Sequence, residues 1–168
     1  GLFLMLRAHA PDRRIRDFVA LRATHPGFYA LAITAGLALA FPGNWLLAKI
    51  YTHFPPSDPL PDLFEGASRL DQGAIVVATV IAIPLVEELI YRGALFGGLL
   101  RHAAHAHPRK AITFPILTTA ALFAVVHMEW RIMLPAFLVG ILLGQLRAAS
   151  RSMIPALLLH ASTNTGTI

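Results

Sequence analysis

The stretch GAIVVATVIAIPLVEELIYRGALFGGLL, residues 73–100, decides the fold. It is apolar from Gly73 to Val86, meets Glu87, Glu88 and Arg92, and resumes its apolar run at Ala94. A membrane-spanning helix needs about 20 mostly apolar residues, and this stretch exceeds that. Three ionisable groups deep inside such a helix are costly in lipid and must face protein, water or one another. Pro84 removes a backbone N–H just before them and favours a kink there, which can open space for water.

Four more apolar runs flank it, at roughly Phe28 to Ile50, Ala111 to His127, Ile132 to Leu146 and Met153 to Ile168. The expected fold is therefore all-α, a polytopic transmembrane helix bundle of about five spans. An apolar stub, Gly1 to Leu6, precedes them and reads as the end of a truncated helix. The composition agrees: 56% of the 168 residues are hydrophobic, mean hydropathy is +0.63, and 14% are charged, against about 25% in soluble domains. With no cysteine, disulfide frameworks and thiolate metal sites are excluded.

The loops carry a topology signal. Ten of the fourteen lysines and arginines lie before the first full span, after the second and after the fourth; Lys49, Arg69 and Arg131 lie in the alternate loops, and Arg92 lies in the membrane. The rule that basic loops stay inside puts the first set on the cytoplasmic face. This explains the net charge of +5 without a nucleic-acid partner, and no aromatic-basic interleaving suggests one. Phe54 to Asp62 is too proline-rich for a helix and reads as an external loop. Residues 1–72 then form an N-terminal membrane region and 73–168 a core. Small residues recur four apart at Ala32, Gly36 and Ala40, at Gly93 and Gly97, and at Gly140 and Gly144, a spacing that lets helices approach closely in lipid and that chance in a Gly- and Ala-rich chain explains equally well for each one alone.

Three clusters carry chemistry. Glu88 and Arg92 stand at i and i+4 and can pair on one helix face, while Glu87 is rotated about 100° away. Phe123 to His127 brings an imidazole into the third span, and His160 and Asn164 share a face of the last. A carboxylate, two imidazoles and a carboxamide in a low-dielectric bundle can take a proton from water and donate to an oxyanion. Taken singly, each cluster also fits a structural role: a buried ion pair, a core histidine, interhelical hydrogen bonding. The run from Arg101 to His107 holds three histidines with no carboxylate beside them and reads as a solvated loop.

In order, Glu-Glu-x-x-x-Arg, Phe-x-x-x-His and His-x-x-x-Asn resemble the signature of the CAAX prenyl-protein endopeptidases and their bacterial relatives, the CPBP or Abi membrane proteases. The resemblance covers about Gly73 to the end. It implies an intramembrane endopeptidase of the glutamate type, with Glu87 as general base, His127 helping to activate water, His160 and Asn164 as oxyanion hole, and Glu88 and Arg92 as structural support. It also implies a helical bundle of about eight helices enclosing a water-filled cavity. Glu87, His127 and His160 are of types that hold zinc with a water in the fourth position. The sequence lacks His-Glu-x-x-His, however, and activation of water by the carboxylate itself, with no cofactor, is the preferred reading. Membrane lipid and a protein or peptide substrate are the expected partners. A composition rich in Ala, Leu and Arg, with only Lys49 and Lys110 as lysines, suggests a GC-rich bacterial genome. That favours the inner membrane, and a C-terminal sorting segment, as cleaved by myxosortase-like relatives, over a lipidated substrate. The alternative is a non-catalytic bacteriocin-immunity or membrane binding protein of the same fold; a proton-coupled transporter is disfavoured by the short chain and the lack of an inverted repeat.

Overall fold

The computed structural model describes residues 15–55, 64–106 and 111–167. The N-terminal stub, the centre of the proline-rich loop and His107 lie outside them. A single turn, α1 (Ile15–Phe18), precedes α2 (Pro26–His53). The decisive stretch forms one long rod: α3 (Arg69–Val77), a π-helical segment (Ala78–Ala82), α4 (Ile83–Glu88), a second π segment (Leu89–Leu95) and α5 (Phe96–Ala106). Then come α6 (Thr113–Val125), α7 (Trp130–Ser150), α8 (Ile154–Asn164) and a 3-10 turn (Thr165–Thr167). Among the described residues there is no strand, and the chain is an all-helical integral membrane bundle.

Each predicted span corresponds to a helix, but not each is of spanning length. α2, the long rod and α7 are long and apolar enough to cross a membrane. α6 has 13 residues and α8 has 11, about 20 and 17 Å at 1.5 Å per residue. α6 stops at a turn in which Met128 takes a positive φ of 52°, so His127 lies beyond its helix rather than in it.

α2 lies along α8, and α6 along α7. Both seams depend on small residues. A Cβ on Gly36 would stand 2.6 Å from the Leu159 carbonyl oxygen, and one on Gly140 would stand 3.0 Å from Ala120 Cα. Ala32, Leu143, Leu146, Ala156 and Leu159 form the core between α2, α7 and α8. The apolar surplus faces outward, as lipid demands: Phe41, Leu70 and Trp45 are exposed, while Glu88, Arg92, Arg147 and His160 are buried.

Contacts at the two ends agree with the charge pattern. At one end Arg22 Nε donates to the Arg151 carbonyl at 2.7 Å, Thr24 donates to Ser150 O, and Arg101 covers the ring of Phe18. At the other, Arg131 donates to the carbonyls of Phe54 and Pro55, and the Phe54 and Trp130 rings meet edge-on. Glu129 caps α7 there by accepting from the Arg131 N–H. The Arg131 side chain also pairs with it at 2.7 Å. These hydrogen bonds hold the Glu129 carboxyl below the usual carboxylate range.

Candidate active site

The adjacent carboxylates of α4 point to different places because one residue along a helix turns the side chain by about 100°. Glu88 is fully buried; Glu87 keeps 22% of its side-chain exposure. Between them sits the imidazole of His160, from α8. Its Nδ1 lies 3.0 Å from Glu88 Oε1 and its Nε2 3.6 Å from Glu87 Oε2. The same Glu88 oxygen accepts from Arg92 Nη1 at 3.0 Å. Arg92 is itself buried and donates through Nη2 to the Gly140 carbonyl at 3.1 Å.

Phe123 ties the histidines together. Its ring meets His127 edge-on at 4.9 Å, His160 at 5.4 Å and Tyr91 at 5.5 Å, and the Arg92 guanidinium lies 4.8 Å from its centroid. The Phe123 carbonyl also lies 2.7 Å from His127 Nδ1. A residue met in the sequence as the first letter of a motif is thus a post shared by four side chains. Its spacing four before His127 was the only signal of that role.

Where the sequence points to a kink at Pro84, the helix carries a π segment, Ala78–Ala82, just before it. Ile83 N–H reaches back five residues to the Ala78 carbonyl. In that register the Thr79 carbonyl would look to residue 84, which is proline and has no N–H. Asn164 supplies the missing donor: its Nδ2 lies 3.1 Å from Thr79 O. In the second π segment, the Arg92 carbonyl accepts from Arg147 Nε at 2.9 Å. Thr79 carries no motif and nothing in the sequence marked it; Gly140 stood out only in a small-residue spacing, and Arg147 only in the count of basic loop residues.

His127, His160 and Asn164 share the wall of a cavity of about 300 Å³. Leu39, Gly43 and Asn44 of α2 and Ala136 and Val139 of α7 complete much of that wall. Glu87 is not part of it and meets the cavity through the His160 ring. Glu87 and His127 do not pair. Among the described residues no three His, Asp or Glu side chains gather as a metal-binding group, and the three zinc-type residues do not converge as one set. What the arrangement can do is hold one imidazole edge-to-edge between two acids and present a second imidazole and a carboxamide to the same apolar chamber.

A family model described as type II CAAX prenyl endopeptidase Rce1-like matches residues 70–166. That range contains Glu87, Glu88, Arg92, Phe123, His127, His160 and Asn164. No curated protein and no solved structure matches the chain.

Proposed function

The chain belongs to the Rce1-like type II CAAX prenyl endopeptidase family, and from that premise we propose that it hydrolyses a peptide bond near the C-terminus of a membrane-associated substrate. Glu87 takes a proton from water, which adds to the scissile carbonyl. His127 helps to orient that water. His160 and Asn164 donate hydrogen bonds to the oxyanion as it forms, and the proton ends on the leaving amine. The basic end of the bundle faces the cytoplasm of a bacterial inner membrane.

One observation carries this reading: an imidazole lies between two carboxylates beside a largely apolar chamber that a second histidine also lines. A buried structural pair needs only Glu88 and Arg92, and leaves Glu87, His127 and the chamber without a purpose.

The test compares membrane proteomes of cells carrying the native chain or Glu87→Gln, reading C-terminal peptides by mass spectrometry. C-terminal segments that persist only in the variant are the expected result and name the substrates. Identical proteomes, with both proteins folded and abundant, would refute catalysis through Glu87 and favour a binding or immunity role. Turnover is expected to survive strong chelators; a loss restored by zinc would replace carboxylate activation with metal activation.

A further inference from the structure

We propose that Glu88 is the positioning residue of His160: it fixes the ring's orientation and tautomer, so that Nε2 is the nitrogen turned to Glu87. This rests on the hydrolytic reading above and deepens it.

The argument is one of donors and acceptors. A neutral imidazole has one N–H and one lone pair, and the hydrogen bond made by one nitrogen sets the role of the other. Glu88 Oε1 already accepts from the Arg92 guanidinium, so it is the acceptor of a charge-paired carboxylate. The contact at 3.0 Å between that oxygen and His160 Nδ1 is therefore made by an Nδ1–H that donates. Nε2 then presents its lone pair toward Glu87 Oε2, 3.6 Å away. Both facing atoms are acceptors, so the proton that Glu87 takes from water has a second seat within reach. Once protonated, Nε2 becomes a donor toward the oxyanion. On breakdown of the adduct the C–N bond breaks and the amine leaves with that proton.

Glu88 has little freedom to do otherwise. It is fully buried, as is Arg92. Arg92 is pinned by Gly140 O and by the face of Phe123, whose ring also meets His160. His127 is held by the same logic with a neutral partner, its Nδ1 on the Phe123 carbonyl. Both histidines thus have Nδ1 engaged by the scaffold, one by a carbonyl and one by a carboxylate.

The test is ¹⁵N NMR of histidine-labelled full chain in lipid bilayers, with His160 assigned by its loss in His160→Gln. In the neutral ring, the proton is expected on Nδ1 with Nε2 bare. A ring with Nδ1 bare and the proton on Nε2 alone would overturn the proposal. A second readout uses a cleaved substrate. Glu88→Gln is expected to lower kcat at least tenfold with KM unchanged, and an unchanged kcat would also overturn it. The tautomer is readable whether or not the chain cleaves peptides. An inactive chain with Nδ1 protonated would therefore refute the proposed function and leave the positioning of His160 standing.

Discussion

Of the two neighbouring acids, Glu88 is the one whose removal the fold feels. Glu88→Ala leaves the Arg92 guanidinium buried without its counter-charge, and breaking such a pair from one side costs about 3–5 kcal/mol. Thermal unfolding in bicelles is expected to show that loss for Glu88→Ala and little change for the part-exposed Glu87→Gln. Phe123→Leu removes three edge-on ring contacts, each worth about 0.5–1.5 kcal/mol beyond burial. Lower stability and a larger fall in turnover are expected together, because both histidines lose their shared wall. The identities of these residues were legible in the sequence, since ionisable groups in apolar helices announce themselves. Their partnerships were not. Glu88 and Arg92 are four residues apart and helix geometry pairs them. Glu88 and His160 are 72 apart, and no local rule joins them.

The helices were legible because long apolar runs have few other fates, but their interruptions were not. A π segment adds a residue to a turn without changing composition, so the sequence offered Pro84 and no more. The structure makes Pro84 and Asn164 a couple through Thr79. Pro84→Ala restores an N–H that can claim the Thr79 carbonyl and release Asn164. The expected outcome is an unchanged or slightly higher unfolding temperature with lower turnover; unchanged turnover would count against Asn164 being positioned this way. The small-residue stripes had an equally good explanation in chance. The helix seams at Gly36 and Gly140 decide for packing. Gly36→Val drives a branched side chain into the Leu159 carbonyl, an overpacking that costs about 1–3 kcal/mol, measurable as a lower unfolding temperature.

For the whole molecule, the charge pattern and the end contacts describe the same two faces. The chain has no cysteine, so one introduced thiol reports alone. Arg151→Cys and Trp130→Cys are expected to react with an impermeant maleimide from opposite sides of the membrane. Labelling of both from one side would break the topology. The Glu129 carboxyl, held below its usual range by Arg131, adds stability that is fully present above the ordinary carboxylate pKa of about 4.3. That stability is lost as pH falls through the lowered value. Glu129→Gln is expected to remove this acid sensitivity at the α7 end, read by unfolding between mild and strong acid. The pairing of Glu88 with Arg92 one turn along has a consequence for biogenesis. At about 5–20 residues per second, the ribosome releases this helix on the order of 4–14 seconds before His160 exists. Throughout that interval the nascent segment must partition from the translocon with its charges aboard. Because acid and base are neighbours on one rod, they neutralise each other without waiting for α8. Insertion can therefore precede assembly, and the proposed hydrolytic site is completed only when the last helix arrives.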